Sequence, residues 1–496
     1  MAPPRPMILT RGEIWSPGVR RPAGPNQVLV LEDGLISEIG PSALIPQESP
    51  HQVVDLGGAT VIPCLIDCHV HLTQAGLDLM SVDLRKARSV EEILGRLKSG
   101  SELGPVLYGW GFDPEETEEG RWPLPGEIDS LASPVFISHA EIHGSMLNRP
   151  CLELLGLGGP ARVLLGPDSF RARRRLSEMI DDSFREKGLA QVARQALSRG
   201  VTTVHALEGG PLFGDRDLEF LMDEVRRLPL RALIYPQIPD PDRAFRLGLG
   251  RMGGCILLDG SPGVGTAALF DPYPGRPGRE GQLYFTQSQV NCLVERAHRL
   301  GLQVSLHASG EAAIDQALRA YARVGPAFPP HRLEHFEVPA PGQARAAAEA
   351  GVVLSVQPAF DLPWSNEYLE TVGSCRGRRA NPLRSCLNHG TLLAGGSDAG
   401  VTPLDPLLGV QAALCHSRED ERLELEEAFC LFTLWAAAAG GTHDRGRIAA
   451  GTRADLAVLD SDPRETENVA DMWVLATVVA GTFRHDLPGF AGKGFQ

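Results

Sequence analysis

Short apolar runs alternate with helical stretches through the middle of this 496-residue chain. Eight such runs separated by helices predict an α/β protein, namely a (β/α)8 or TIM barrel. A doubly wound open sheet is the competing topology, but no G-x-G-x-x-G sequence follows an early strand to support it. The predicted strands are Thr60–His71, Val201–Leu207, Leu230–Tyr235, Cys255–Gly260, Leu302–His307, Arg332–His335, Val352–Gln357 and Thr391–Asp398.

Both ends of the chain have the pattern of short strands and turns. Near the start, Gln27–Leu31 and Leu35–Gly40 flank an Asp-Gly pair, which is a hairpin signal. Near the other end, Ala454–Asp460 and Ala476–Phe483 are predicted strands. We therefore predict a small composite β-sandwich domain built from residues 1–59 and 446–496, with the barrel over residues 60–445.

A long segment separates the first predicted barrel strand from the second. It contains the aromatic run Leu107–Asp113, the acidic run Pro114–Glu119 and the basic run Arg171–Arg175. A simple barrel connection is much shorter than this segment. We therefore predict an inserted lobe at about residues 84–185.

Composition excludes several classes of function. The net charge of -15 argues against non-specific binding to nucleic acid or to an anionic membrane. No segment has about 18 uninterrupted apolar residues, and Met1–Met7 lacks a signal-peptide core. The nine cysteines contain no C-x-x-C, so reduced thiols are expected rather than a disulfide framework. We expect a cytoplasmic protein with a small-molecule substrate, and the sequence leaves the oligomeric state open, a homodimer included.

Candidate metal ligands stand at the carboxyl ends of four predicted strands. His69 and His71 end the first strand, and alternate residues of a strand face the same side. His307, His335 and Asp398 end the fifth, sixth and eighth strands, and barrel enzymes place their chemistry at these ends. Alone, each residue could be a buried histidine or a helix cap. Together they predict a divalent metal site, with zinc as the first choice and one or two ions per chain.

The sequence resembles the amidohydrolase superfamily, specifically its YtcJ-like (amidohydrolase 3) branch, which is related to N-substituted formamide deformylases. The resemblance covers nearly the whole chain. It implies that His69, His71, His307, His335 and Asp398 are metal ligands. The segments that carry it are Val61–His71, Tyr108–Asp113, His143–Asn148, Asp259–Ser261, His307–Asp315, Leu333–His335, Ser355–Pro358, Gly396–Ala399 and Gly451–Leu456.

Cys255 departs from the family pattern. Members of the family commonly carry a lysine four residues before the Asp-Gly-Ser segment, and its carboxylated amine bridges two metals. Cys255 occupies that position here, so this bridge cannot form. A thiolate is a good zinc ligand and can span two ions, as it is thought to do in related D-aminoacylases. The alternative is a small buried thiol beside a single ion.

The ligand set predicts hydrolysis of a non-peptide carbon–nitrogen bond, such as an N-acyl, formamide or cyclic amide bond. A metal-activated hydroxide would attack the carbonyl, and Asp398 would move the proton. A deaminase of a nucleobase-like ring is the alternative enzyme, and a non-catalytic scaffold is the third hypothesis. We also predict substrate-binding residues at Trp110, Asp113, His143, Asn148, His205 and Glu208.

Overall fold

The computed structural model describes residues 6–19, 27–41, 51–487 and 490. Parts of the predicted terminal domain, including most of the Met1–Met7 segment, lie outside these residues. Helices in the described residues are numbered along the chain. They are α1 Leu72–Asp78, α2 Val90–Ser99, α3 Pro125–Ile128, α4 Arg149–Leu154, α5 Pro167–Ser177, α6 Asp182–Ser198, α7 Gly210–Phe213, α8 Asp215–Glu224, α9 Pro241–Arg246, α10 Gln287–Arg299, α11 Glu311–Val324, α12 Gln343–Glu349, α13 Asp361–Thr371, α14 Ser374–Gly377, α15 Arg384–Asn388, α16 Pro406–Leu414, α17 Leu425–Leu431 and α18 Leu434–Ala439.

Strands at the two ends of the chain form two sheets around a shared apolar core. The strands are β1 Met7–Thr10, β2 Glu13–Ile14, β3 Gln27–Glu32, β4 Leu35–Pro41, β5 Gln52–Asp55, β6 Thr60–Pro63, β20 Leu456–Leu459, β21 Val474–Val479 and β22 Thr482–Asp486. One sheet has the order β4-β3-β1-β5 and the other β2-β6-β20-β21-β22. Leu9, Leu29, Val61 and Leu456 are among the buried residues between them. The predicted hairpin is confirmed, because β3 and β4 pair antiparallel across Asp33-Gly34.

The segment after the first helix folds into a separate mixed sheet. The strands are β8 Val82–Asp83, β9 Leu107–Phe112, β10 Val135–His139, β11 Gly144–Leu147 and β12 Arg162–Leu165. Their order in the sheet is β12-β11-β10-β9-β8. Two apolar clusters pack helices α2, α4 and α5 against these strands. The sheet falls within the predicted insertion, apart from its first short strand, β8.

Eight parallel strands follow one another in chain order, and the candidate ligands lie in them or just after them. The strands are β7 Leu65–Val70, β13 Val201–Glu208, β14 Arg231–Pro236, β15 Arg251–Leu257, β16 Gln303–Gly310, β17 Arg332–Val338, β18 Val353–Val356 and β19 Leu392–Gly395. Their hydrogen bonds form two sheets, β14-β13-β7 and β15-β16-β17-β18-β19. The α/β class is therefore confirmed.

The helix α10 illustrates how the sequence sets the outer layer. Thr286 caps its first turn, because its hydroxyl accepts the backbone N–H of Gln289 and the Gln289 side chain accepts the N–H of Thr286. Val290, Leu293, Val294 and Ala297 are then buried at helical spacing. This apolar stripe packs α10 onto the parallel strands. None of the helices in the described residues has the length and apolar character needed to cross a membrane.

Hydrogen bonds outside the strand ladders span both gaps between the two parallel sheets. On one side, the Gln237 side chain, just after β14, accepts the backbone N–H of Cys255 in β15 at 2.8 Å. On the other side, the backbone N–H of Asp398, just after β19, donates to the carbonyl of His69 in β7 at 2.8 Å. These bonds hold the outer strands of one sheet beside those of the other.

The prediction of one strand over Thr60–His71 is wrong. Thr60–Pro63 pairs with β2 and β20 in a terminal sheet, whereas Leu65–Val70 pairs with β13 in a parallel sheet. The chain passes between the sheets at Cys64, whose backbone N–H donates to the Asp455 carbonyl. Both parts are buried on both faces, so their apolar pattern has no break that could mark the crossing.

The fourth parallel strand, β15, begins earlier than the predicted Cys255–Gly260. It runs from Arg251 to Leu257 and includes Gly253 and Gly254, with φ of 97° and 93°. A Cβ on Gly253 would lie 1.8 Å from the carbonyl oxygen of Ser305 on β16. Glycine therefore permits close approach of the two strands here, although it is depleted in strands generally.

Replacing Gln237 with leucine tests the contact between β14 and β15. The side chain is fully buried, and Gln237→Leu would leave the Cys255 N–H without its acceptor. We expect the free energy of unfolding to fall by about 1–3 kcal/mol, measured by urea denaturation. Gln191→Leu, on the exposed face of α6, is the control and should change it by less than about 0.5 kcal/mol. Equal stability of the two variants would contradict the proposed role of this contact.

Candidate metal centre

The His69 and His71 side chains present one ring nitrogen each to the same space. His69 Nδ1 lies 2.8 Å from the Glu334 carboxylate, and His71 Nδ1 lies 2.8 Å from the Leu207 carbonyl. Both partners are acceptors, so Nδ1 carries the proton in each ring. In the neutral form of each ring, the lone pair is therefore on Nε2.

His307 and His335 follow the same arrangement from the opposite strands. His307 Nε2 donates to the Gly260 carbonyl at 3.1 Å, and His335 Nδ1 pairs with Gln357 Oε1 at 2.9 Å. The other nitrogens, His307 Nδ1 and His335 Nε2, are buried and have no hydrogen-bond partner among the described residues. An imidazole tied at one nitrogen and open at the other is the usual form of a metal ligand.

The Cys255 sulfur lies between these two histidine pairs. Its Sγ is 3.6 Å from His69 Nε2 and 3.7 Å from His71 Nε2. The ligand atoms of His69, His71 and Cys255 lie within 4.8 Å of one another, and so do those of Cys255, His307 and His335. The sulfur thus belongs to two candidate ligand groups.

Asp398 completes the cluster from the eighth parallel strand. Its Oδ1 lies 3.6 Å from Nε2 of both His69 and His71, and it forms a third candidate group with His69 and His335. All six residues that the sequence suggested as ligands therefore converge. Neutral imidazole, thiol and carboxylate groups suit zinc and similar divalent ions, so the donor set fits the expected metal.

Burial keeps most of these histidines neutral, which is the form that binds a cation. It lowers the pKa of His71 to about 3 and of His307 to about 4, so both rings are neutral at pH 7. Burial alone would also lower the pKa of His69, but Asp398 and Cys255 beside it raise that pKa. The centre therefore attracts positive charge.

The backbone is strained at two of the candidate ligands, one within β17 and one just after β19. His335 and Asp398 adopt left-handed φ values of 73° and 51°, and Phe336 follows at 57°. Non-glycine residues in this region cost roughly 1–3 kcal/mol each and cluster at functional sites. The hydrogen bond from the Asp398 N–H to His69 holds the strained turn over the histidine pair.

Several supporting residues were not predicted as functional from the sequence. Asp67 accepts the backbone N–H groups of His69 and Ser397, linking the first and eighth strands. Asp259, just after β15, accepts three backbone N–H groups, from Ala268 and from Ser309 and Gly310 at the end of β16. Glu334 and Gln357 orient His69 and His335. All four lie inside the segments that carry the family resemblance, which was the available signal.

Among the predicted substrate-binding residues, His143 lies beside a candidate ligand. Its ring centroid is 5.3 Å from that of His307, and its Nδ1 has no hydrogen-bond partner among the described residues. Trp110 is buried beneath the Arg85 guanidinium, 4.2 Å from its ring centroid. Glu208 accepts the Thr73 N–H, and burial raises its pKa to about 8. Roles for these residues in substrate binding remain predictions.

The structure corrects the prediction for Asn148. Its Oδ1 accepts two backbone N–H groups, one of them from Cys151 in the first turn of α4, and its Nδ2 donates to two carbonyls, so the side chain has no group left for a substrate. His205 Nδ1 faces Arg332 at 2.7 Å, while its Nε2 lies against Gly440 and has no hydrogen-bond partner among the described residues. A role for His205 in substrate binding stays a prediction. Sequence position near a strand end could not reveal Arg332 as its partner, because the two residues are distant along the chain.

A cavity of about 680 Å³ lies next to the chain segments that follow Asp398 and Gln357, and none of the six candidate ligands lines it. Val401 and Thr402 line one wall, and the Val401 N–H donates to the Asp398 carbonyl. Ala359, shortly after Gln357, lines another part, and the insertion contributes Asp113 and Ala140. The cavity is large enough for a small organic molecule, and it includes one of the predicted substrate-binding residues, Asp113.

The sequence profile of the amidohydrolase family matches residues 52–485. The chain belongs to the amidohydrolase family. It is 26% identical to N-substituted formamide deformylase of Arthrobacter pascens, over 93% of this chain and 95% of that one. It is also 26% identical to the YtcJ protein of Bacillus subtilis (strain 168), over 88% and 91% of the two chains. The crystal structure of an uncharacterized metal-dependent hydrolase from Pyrococcus horikoshii is similar to it, with a TM-score of 0.77, 28% identity and coverage of 97% and 100%. The chain is therefore an enzyme, a metal-dependent amidohydrolase that acts on carbon–nitrogen bonds.

The pH dependence of metal binding tests whether Cys255 is a ligand. Burial raises the pKa of its thiol to about 11, so binding as a thiolate at neutral pH must release a proton. We expect the apparent affinity for Zn²⁺ to rise between about pH 6 and pH 8, with about one proton fewer released in Cys255→Ala. Chelator competition at several pH values measures this slope.

Cys64→Ala is the matched control for that experiment. Cys64 is equally buried, and burial raises its pKa to about 12, but it belongs to none of the candidate ligand groups. Its slope should equal that of the wild type. Identical slopes in Cys255→Ala and wild type would show that the Cys255 thiol does not ionise on binding.

Proposed function

We propose that this enzyme hydrolyses a carbon–nitrogen bond of a small non-peptide amide, such as an N-acyl, formamide or cyclic amide bond. One observation carries the proposal: two pairs of histidine nitrogens share the Cys255 sulfur, and a carboxylate oxygen of Asp398 faces them. The similarity to N-substituted formamide deformylase supports an amide that is not a peptide. A divalent ion held by these residues would polarise the substrate carbonyl and lower the pKa of water towards about 7.

We further propose that the centre takes two ions, with zinc as the preferred metal. His69 and His71 would hold one ion, and His307 and His335 the other. The Cys255 thiolate would bridge them, since it replaces the lysine common in the family. Thiolate and imidazole ligands together favour zinc over harder ions such as magnesium.

Asp398 is the residue best suited to move the proton. Its Oδ1 is buried, has no hydrogen-bond partner among the described residues and faces the two histidines. Burial raises the pKa of this carboxyl group, which makes it a better proton acceptor at neutral pH. It would take the proton from the attacking water at Oδ1 and then donate it to the leaving nitrogen.

The eight parallel strands are proposed to act as one (β/α)8 barrel. Their chain order, together with the Gln237–Cys255 and Asp398–His69 hydrogen bonds between the two sheets, supports closure. The composite terminal domain over 1–59 and 446–496, and the inserted lobe at about 84–185, are proposed to be separate folding units.

Asp398→Asn tests the proton-transfer role. The amide keeps the shape of the side chain but cannot accept a proton, so we expect turnover to fall by at least about 100-fold, since general acid–base catalysis contributes 10²–10⁴-fold. The measurements are kcat and metal content by elemental analysis, and the metal content should stay close to that of the wild type. Wild-type kcat in Asp398→Asn would refute this role.

A small substrate panel tests the reaction itself. Zinc-loaded protein is incubated with an N-alkyl formamide, an N-acetylated amine, a five-membered cyclic amide and a dipeptide. We expect cleavage of one of the first three and no cleavage of the dipeptide. The formamide or the acetylated amine would give an amine and a carboxylic acid, whereas the cyclic amide would give a single ring-opened amino acid. The Asp398→Asn protein is the control for contaminating hydrolases. Release of ammonia from an aminopurine or aminopyrimidine, without amide cleavage, would instead support the deaminase.

A further inference from the structure

Arg332 is a fully buried arginine directly beneath the candidate centre. Its guanidinium donates to both carboxylate oxygens of Glu334, with Nε to Oε1 at 2.9 Å and Nη2 to Oε2 at 3.1 Å. Glu334 is itself fully buried and is the group that holds Nδ1 of His69. Arg332 is therefore one side chain away from a candidate ligand.

The Nη2 group of Arg332 also reaches two further strands, β7 and β18. It lies 2.8 Å from the carbonyl of Cys68, the residue before His69, and 3.0 Å from the hydroxyl of Ser355. The Ser355 carbonyl accepts the Gln357 amide, and Gln357 in turn holds His335. Arg332 is thus linked to His69 through Glu334 and, less directly, to His335 through Ser355 and Gln357.

Stability alone does not account for a charged pair at this depth. Removing two charges from water costs several kcal/mol per ion, and apolar replacements of buried pairs are often neutral or stabilising. The planar fork of arginine, however, holds a carboxylate in one orientation, which a lysine cannot do. The geometry of the pair is therefore better explained by orientation of Glu334 than by a gain in folding energy.

We propose that Arg332 is a positioning residue of the metal centre. It holds Glu334 so that Glu334 accepts the Nδ1–H of His69, which directs His69 Nε2 towards the ion. Through Cys68 it also sets the placement of β7, which carries His69, relative to its own strand β17, which carries His335. This inference rests on the proposed metal-dependent function.

The test compares Arg332→Met, Arg332→Lys and Glu334→Gln with the wild type. The metal-free proteins are titrated with Zn²⁺ against a chelator, and with Co²⁺ to record the visible absorption spectrum. We expect Arg332→Met and Glu334→Gln to bind Zn²⁺ about 10–100-fold more weakly, the usual effect of losing a group that orients a ligand. Their Co²⁺ spectra should also change. Arg332→Lys should fall between wild type and Arg332→Met.

Arg185 provides a matched control for loss of a buried guanidinium. It is as buried as Arg332 and pairs with Asp217, but its partners, Asp217, Ser177, Ile180 and Asp182, include none of the candidate ligands. Arg185→Met should lower the free energy of unfolding while leaving the Zn²⁺ affinity within about twofold of wild type. If Arg332→Met fails to fold, the near-isosteric Glu334→Gln decides the question.

Three results separate the inference from the function on which it rests. Weaker metal binding in the Arg332 and Glu334 variants, but not in Arg185→Met, supports the inference. Wild-type affinity and an unchanged Co²⁺ spectrum in folded Glu334→Gln and Arg332→Met overturn it and leave the proposed function intact. No Zn²⁺ or Co²⁺ binding by the wild type overturns the proposed function and this inference together.

Discussion

Each of the four central imidazoles uses one ring nitrogen for a hydrogen bond to the protein. That bond determines the direction in which the other ring nitrogen points. Glu334, Leu207, Gly260 and Gln357 supply the acceptors. Without them, either nitrogen of each ring could carry the proton and the rings could rotate. With them, the free lone pairs converge on the Cys255 sulfur and the Asp398 carboxylate. The rest of the centre depends on this pairing, because four convergent lone pairs in a buried space favour a cation.

The fold supplies this arrangement by combining parallel strands with strained turns at their carboxyl ends. Parallel strands bring residues from distant parts of the chain to one edge, which is where the ligands lie. The left-handed backbone at His335, within β17, and at Asp398, just after β19, then turns these side chains. Hydrogen bonds to the Asp67 carboxylate and to the His69 carbonyl hold the segment after the eighth strand against the first strand. Strain of this kind persists only where the surroundings hold it in place.

Cys255 gives the centre a chemistry different from that of relatives with lysine at this position. A carboxylated lysine depends on carbon dioxide to form its bridge, whereas a thiol needs only to lose a proton. Burial raises the pKa of that thiol, so ionisation here depends on the charge of a bound cation. The neighbouring Gly253 allows β15 to approach β16 closely, and Gly254 leaves room for the Leu207 side chain of β13. Cys255 follows them in the strand, with its sulfur between the two histidine pairs.

The sequence by itself determined the strand succession, the hairpin at Asp33-Gly34 and five residues of the candidate centre, because these depend on local periodicity and on residues at strand ends. The sixth, Cys255, was indicated by the family resemblance. Tertiary structure alone decided that the apolar run beginning at Thr60 is shared between two sheets, since strands buried on both faces have no distinguishing period. It also decided that Arg332 faces His205 and that Glu334 orients His69. Such contacts join residues far apart in the chain, and no local pattern shows which distant group a side chain will meet.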